Sequence, residues 1–423
     1  MIISIIGTGY VGLSTAAVFA EHGHRVNCYD VDDKKIKILA NGGCTIFEEG
    51  LPQLLAKNKE RLSFTVKNKN ALQSADIIII AVGTPERQDG SANLSYVYTA
   101  VDDIVRERNE AYIILKSTVP VGTNDRLEAY AKSKGANFEF ISNPEFLSQG
   151  TAVNDMLYPS RIIIGVKTMK ARELMTKLYS SFNSPLLIIG RRSAEMVKYA
   201  SNDFLALKIS YINEIANLCE KLGANVEEVA LGMGYDDRIG NRFLKAGVGY
   251  GGSCFPKDTK ALHWLAGFND CELKTIKAAI DVNENQKIIL VKKAKKYYES
   301  FNGKTVAILG LAFKPGTDDL REAPSIVNIR LLTDEGAVIK AYDPIAGEAV
   351  KRQYPNIVLC ETLKKALENA DLCFIFTEWE EIKALQPEDF GIMKNKFIFD
   401  GRNCFNVTEM KNAGLTYISI GRG

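Results

Sequence analysis

The sequence predicts an α/β protein in which two Rossmann-like, doubly wound halves are joined by a central helical dimerisation segment. Three observations predict it. A strand, a glycine turn, a helix and a second strand ending at Asp30 fill the opening of the chain, and a strand–turn–helix–strand unit ending at Asp343 recurs from Lys304. Between them, from about Ser193 to Tyr298, the pattern is helical and carries too few strands for a sheet of its own. With 423 residues the chain exceeds one hydrophobic core, and the expected division is 1–192, 193–300 and 301–423.

Residues 1–6 are apolar and predict a strand, with no basic segment ahead of them to suggest an export signal. Gly7-Thr8-Gly9-Tyr10-Val11-Gly12 follows as a G-x-G-x-x-G turn, then a small-residue helix to about His22 and a strand over 25–29. The glycine pattern alone is weak; between a strand and a helix, with an acid near the end of the next strand, it becomes a dinucleotide fingerprint. Its glycines let the backbone approach a pyrophosphate at the helix N-terminus, where unpaired N–H groups and the helix dipole favour negative charge. Asp30 is placed to accept from a ribose hydroxyl, and no arginine follows it to take a 2′-phosphate. The expected cofactor is NAD.

Buried parallel strands are expected at 76–82, 112–115 and 138–142, each ending in a turn: GTP at 83–85, KSTVP at 116–120 and SNPEF at 142–146. In a doubly wound sheet these carboxyl ends line the ligand crevice. Residues 193–222 predict a long helix with Ser193 as its N-cap and Gly223 as its stop, and further helix runs from Lys260 to about Tyr298. In the last third, strands at 304–309 and 337–342 flank a turn at 310–314 and a helix at 325–335. Later stretches repeat as well: SADIIIIAVGTP at 74–85 is similar to NADLCFIFTEW at 369–379, and YIILKSTVP at 112–120 to KFIFDGRN at 396–403. This half lacks G-x-G-x-x-G and is expected to bind something other than a dinucleotide.

The net charge is +2 and no dense basic block occurs, which argues against a nucleic-acid partner. The longest apolar run, 77–82, is far short of the roughly 18 residues of a membrane helix. Eight cysteines without a C-x-x-C read as thiols of a reducing cytoplasm, and three histidines at no metal-ligand spacing predict no metal site.

The chemistry concentrates in residues 247–258, GVGYGGSCFPKD. Cys254 precedes a helix whose first turn holds Pro256, and a helix N-terminus beside Lys257 favours a thiolate. Lys198 and Asn202 lie one turn apart on one face of the long helix, and Glu145 stands at a strand end facing the crevice.

RIGNRFLKAGVGYGGSCFPKD (238–258), together with GTGYVG, KSTVPVG, NPEFL, LYPSRI, the helix bearing Lys198 and Asn202, and AFKPGTDDLRE (312–322), resembles the UDP-glucose/GDP-mannose dehydrogenase family over nearly the whole chain. The resemblance implies an N-terminal NAD domain, a helical dimerisation core and a C-terminal UDP domain. It implies four-electron oxidation of UDP-glucose at C6 in the cytoplasm by a homodimer, with GDP-mannose or another nucleotide sugar as the alternative substrate and a non-catalytic nucleotide-sugar sensor as the remote one.

Residue by residue, the resemblance implies Cys254 as the nucleophile that forms a thiohemiacetal and then a thioester. Lys198 would be base or oxyanion stabiliser, Asn202 a donor to the reacting oxygen, and Glu145 the activator of the hydrolytic water, positioned by Thr118 and Asp258. The cofactor site would take Lys35, Thr84, Thr118, Gln149, Lys257 and Arg321 with Asp30 and the glycine turn. Sugar nucleotide contacts would come from Phe146, Leu147, Phe243, Lys245, Tyr250, Gly251, Phe313, Lys314 and Arg402, and from Arg238 reaching the neighbouring subunit's diphosphate. One position departs from the pattern: Gln149 stands where the family usually has a second acid, which bears on the tuning of cofactor binding and not on the reaction.

Overall fold

The computed structural model describes residues 1–422, which form two compact units, the first ending at Ser201 and the second beginning at Asn202. The boundary falls inside one continuous helix, Arg191–Leu222.

The first unit is built on an eight-stranded sheet: β1 (Ile2–Ile6), β2 (Arg25–Tyr29), β3 (Leu62–Thr65), β4 (Ile77–Ile80), β5 (Glu110–Leu115), β6 (Asn137–Ser142), β7 (Ile162–Gly165) and β8 (Leu186–Ile189), in the order β3-β2-β1-β4-β5-β6-β7-β8. The first six strands are parallel in the doubly wound order, and β7 joins β6 antiparallel through Ser142 and Gly165. In β4 all four isoleucines are buried: Ile77 and Ile79 feed one core cluster and Ile78 and Ile80 the other, as a strand covered on both faces requires. The order reverses between β1 and β4, and this switch point is where such sheets bind ligands.

The second unit carries β9 (Thr305–Leu309), β10 (Val338–Tyr342), β11 (Val358–Leu359), β12 (Leu372–Ile375), β13 (Phe397–Asp400) and β14 (Thr416–Ile418), in the order β11-β10-β9-β12-β13-β14. That is the same parallel order as in the first unit, so the repeat read from the sequence is a repeat of topology. The middle segment packs on this sheet: Ile212 and Leu290 from its helices and Leu244 and Val248 from the loop before Phe255 share one core with Val306, Ile308, Phe374 and Phe399.

Some boundaries differ from the sequence expectation. The long helix starts at Arg191, so Ser193 lies in its first turn and is not its cap. The buried Arg191 guanidinium pairs with Asp125 and Glu128, which ties the helix start two residues earlier. The expected helix from Lys260 to Tyr298 is three: Phe255–Phe268, Lys274–Lys287 and Ile289–Ala294.

Candidate active site

In the first unit, the glycine turn joins β1 to the helix Tyr10–Glu21. Gly7 has φ +99°, and a Cβ on Gly12 would lie 1.9 Å from the Gly7 carbonyl oxygen, so both positions require glycine. A Cβ on Gly9, at the helix N-cap, meets nothing within 4 Å. The free space therefore lies over the end where backbone N–H groups and the dipole favour a phosphate. Tyr10 and Val11 are half-buried beside it. At the end of β2, Asp30 Oδ2 accepts from Thr8 N at 2.8 Å and Thr8 Oγ1 at 2.7 Å, and Oδ1 from Asp32 N at 3.0 Å. Burial works to raise its pKa, but these bonds and the nearby Lys35 prevail and hold the carboxyl below its usual range. The arrangement fits a dinucleotide. Thr84 Oγ1 donates to the Thr118 carbonyl at 2.8 Å, which stitches the turns after β4 and β5 into one wall.

The turn after β6 places a second group. Lys198 Nζ lies 2.9 Å from Glu145 Oε1, and both side chains are buried; Glu145 Oε2 accepts from Leu147 N at 2.6 Å. Burial pushes the Glu145 pKa up, yet the Lys198 ammonium and the Leu147 bond outweigh it and keep the carboxylate ionised. The Phe146 ring has two cations near it, Arg161 of LYPSRI 4.0 Å and Lys198 5.4 Å from its centroid. The helix can approach this closely because β7 ends in Gly165, where a Cβ would lie 2.7 Å from Ala194 Cβ. One turn before Lys198, the buried Glu195 accepts from Gly122 N at 2.6 Å and Asn124 N at 2.9 Å, pinning the KSTVPVG turn to the same helix. Gln149 is half-buried in the segment that follows Leu147.

In the second unit, Cys254 is the N-cap of the helix Phe255–Phe268, with Pro256 in its first turn as the sequence predicts. Asp258, buried in that turn, accepts from Asn202 Nδ2 at 2.6 Å and from Lys257 Nζ at 2.5 Å. The loop glycines answer to contact: a Cβ on Gly251 would lie 2.5 Å from the Glu322 carbonyl oxygen, and one on Gly252 would strike the Phe313 ring. Gly252 N donates to the Arg321 carbonyl at 2.8 Å, and Arg402 donates to the carbonyls of Phe376 and Phe313 at 2.7 and 2.9 Å. The thiol loop, the AFKPG turn with Lys314 over the Phe313 ring, and Arg402 thus form one surface. Glu378 meets Arg402 Nε at 3.2 Å and Lys245 at 4.0 Å, Tyr250 is buried against Phe255, and Phe243 holds a left-handed φ of 66°. Arg238 and Arg321 pair within their own turns, with Asp236 and Asp319, and Arg238 projects into solvent.

Asp343 repeats the position of Asp30, but four backbone N–H groups and the Trp379 indole already bond its carboxylate. The second sheet has therefore engaged this acid fully with its own loops, whereas Asp30 is bonded only by Thr8 and by the Asp32 N–H. Among the described residues no cluster of histidine, cysteine or carboxylate is arranged to hold a metal ion, and no helix is long and apolar enough to cross a membrane.

The description of the family's NAD-binding domain matches residues 1–183, that of its central domain 192–285 and that of its UDP-binding domain 307–407, all from the UDP-glucose/GDP-mannose dehydrogenase family. The chain belongs to the UDP-glucose/GDP-mannose dehydrogenase family. It is 46% identical over 430 residues to a UDP-glucose 6-dehydrogenase of Bacillus subtilis, covering 100% of this chain and 98% of that one. It is 42% identical over 445 residues to that of Pseudomonas aeruginosa, with 100% and 98% covered. A UDP-glucose dehydrogenase structure from Pyrobaculum islandicum superposes with a TM-score of 0.92 at 36% identity, over 100% of this chain and 97% of that one. As a member of this dehydrogenase family, the protein is an NAD-dependent oxidoreductase whose NAD-binding domain spans residues 1–183, the segment that contains the glycine turn.

Sequence reasoning missed several members of these clusters. Lys116, Asn143 and Glu195 in the first unit and Asp203 and Asn283 in the second are all buried polar groups. Lys116 and Asn143 each directly follow a buried strand, and that position at a strand's carboxyl end was a usable signal.

Proposed function

We propose that the protein is a UDP-glucose 6-dehydrogenase that oxidises the C6 alcohol through the aldehyde to UDP-glucuronate, with the sugar held on Cys254 between the two oxidations. The observation that carries this reading is the Cys254 N-cap with Lys257 and Asp258 in the next turn and Asn202 of the long helix bonded to Asp258, on a chain 46% identical to a UDP-glucose 6-dehydrogenase. An alcohol needs only a base and a hydride acceptor to become an aldehyde, whereas the acid is reached more easily through a covalent adduct. NAD supplies the hydride acceptor at each oxidation, two per sugar.

Lys198 takes up the hydroxyl proton or stabilises the oxyanion, and Asn202 donates to the reacting oxygen. The Cys254 sulfur then adds to the aldehyde carbon and a proton goes to its oxygen, giving a thiohemiacetal. Removal of a second hydride and the hydroxyl proton leaves a thioester. Glu145, held ionised by Lys198, orients a water with Thr118 and Asp258 and takes its proton as the water attacks the acyl carbon; the C–S bond breaks and the thiolate departs. Phe146, Leu147, Phe243, Lys245, Tyr250, Gly251, Phe313, Lys314 and Arg402 bind the sugar nucleotide. Gln149, Lys257 and Arg321 complete the cofactor site.

The assigned roles divide at 1–192, 193–300 and 301–423, and the enzyme works as a cytoplasmic homodimer in which Arg238 serves the partner's diphosphate. Phe204, Tyr211 and Leu218, spaced seven apart and 61%, 46% and 50% exposed, support the dimer, since they put one apolar stripe on the long helix. Steady-state rates and NADH yields with UDP-glucose, UDP-galactose, UDP-N-acetylglucosamine and GDP-mannose test the reading. UDP-glucose is expected to give the highest kcat/KM and two NADH per sugar; a higher kcat/KM for another sugar, or one NADH per UDP-glucose, refutes it.

A further inference from the structure

The reaction proposed above uses Lys198 and Glu145 but leaves a second buried amine of the same cluster without a role. Lys116 directly follows β5 and is 3% exposed. Its backbone N–H bonds the Ile80 carbonyl at 3.0 Å, so it is fixed as an extension of the sheet. Its Nζ donates to Asn143 Oδ1 at 3.3 Å, and that oxygen also accepts from the Tyr179 hydroxyl at 2.5 Å. Asn143 is itself held by its Nδ2 bond to the Ile163 carbonyl at 2.9 Å, and Glu145 lies two residues further on.

The cluster therefore holds two amines and one carboxylate away from water. Lys198 has the carboxylate at 2.9 Å, whereas Lys116 bonds an uncharged amide oxygen. Burial disfavours the Lys116 ammonium, the Glu145 charge favours it and the Lys198 charge disfavours it, which together bring its pKa down to about 8. The charged groups facing it are Glu145, from the turn after β6, and Lys198, from the long helix. The Tyr179 phenol, which shares Asn143, stays neutral because burial raises its pKa well beyond the usual range.

We propose that Lys116 is a positioning residue for the Lys198–Glu145 pair, a second buried amine, held on Asn143 two residues before Glu145, whose charge sets the field that the pair feels. The proposal rests on the reading that the pair serves the reaction. While Lys116 is charged, the cluster carries one net positive charge, which holds Glu145 ionised and weakens the hold of Lys198 on its own proton, making it a readier proton donor. When Lys116 loses its proton the cluster is neutral and Lys198 keeps its own more firmly.

The direct test is a pH titration of the free protein labelled with 13C at lysine Cε. One lysine signal is expected to titrate with a midpoint near 8, to be absent in Lys116→Met, and to move to lower pH in Glu145→Gln, where the favouring charge is gone. In turnover, Lys116→Met and Lys116→Arg are both expected to lose the inflection near pH 8 from the kcat profile, because one amine is removed and the other stays charged. A Lys116 signal that titrates at the ordinary lysine value, a midpoint unmoved in Glu145→Gln, or a wild-type inflection surviving in Lys116→Met overturns the proposal. The titration reads no turnover, so its failure is distinct from that of the assigned reaction, which the NADH yield reads.

Discussion

Lys198 and Glu145 form a buried ion pair, 2.9 Å from Nζ to Oε1, with 3% and 6% of their side chains exposed. Removing one partner of such a pair leaves the other charge buried without compensation, at a penalty of about 3 kcal/mol or more, whereas removing both can be nearly neutral. Lys198→Met is therefore expected to lower stability by about that amount in denaturant unfolding, and Lys198→Met/Glu145→Gln to regain most of it. Additive losses in the double variant would show that the two charges do not depend on each other.

Asp203 follows Asn202 on the long helix and is 1% exposed, and neither carboxyl oxygen has a hydrogen-bond partner among the described residues. Burial first, then the Asp258 charge, push its pKa up to about 8 against the opposing pull of Lys257. A folded-state pKa raised above the unfolded value means that stability is fully present below the unfolded pKa, near 4, and is lost as pH rises towards 8. Asp203→Asn cannot ionise. Its stability relative to wild type is expected to improve by more than about 1 kcal/mol between pH 4 and pH 8 and to level off above, in urea unfolding at several pH values. A difference that stays constant with pH contradicts the assignment.

At the cofactor end, the ionised Asp30 would face a 2′-phosphate with no arginine beside it to offset the repulsion. NAD is expected to exceed NADP by at least about tenfold in kcat/KM, roughly 1.4 kcal/mol. Asp30→Ala should narrow the ratio. Equal rates with the two cofactors in the wild type would remove Asp30 from the ribose site.

The apolar stripe on the long helix makes a separate prediction. Phe204→Glu/Leu218→Glu is expected to shift the protein from dimer to monomer in sedimentation velocity, and Arg238→Ala to raise KM for UDP-glucose much more than KM for NAD. A wild-type monomer of full activity contradicts both expectations.

The parts of the fold that were legible in the sequence were those with two independent signals. Strand, glycine turn, helix and terminal acid together marked β1 and β2, and the recurrence of that unit from Lys304 marked β9 and β10. β3 escaped because LSFT is only partly buried and lacks the solid apolar run of β4, whereas β8, LLII, is as apolar as β4 and was not singled out although its side chains are only partly buried. β11 has two residues and little pattern to read.

The candidate site follows the same logic. Cys254 and Pro256 were readable because a helix start constrains residue type at fixed positions, and the first-turn proline is where the sequence put it, whereas Asp258 was reached only through the family resemblance. Lys116, although it opens a turn expected to line the crevice, and Glu195 were not singled out, since a lysine after a strand or a glutamate on a helix is usually solvated. Only packing against Asn143 and against the KSTVPVG turn reveals them as buried. Arg238 lies outside both local clusters and its expected role depends on a second chain.

The central claim is that the sugar is covalently held on Cys254 and released by water that Glu145 orients. It is tested most directly by mixing Glu145→Gln with UDP-glucose and NAD and following both NADH and intact mass. The variant keeps the thiol and loses the water-orienting charge, so both oxidations should proceed and release should stall. The account predicts a burst of about two NADH per active site, together with a nucleotide-sugar adduct that maps to the peptide containing Cys254. A burst without an adduct, or an adduct on another residue, would contradict it.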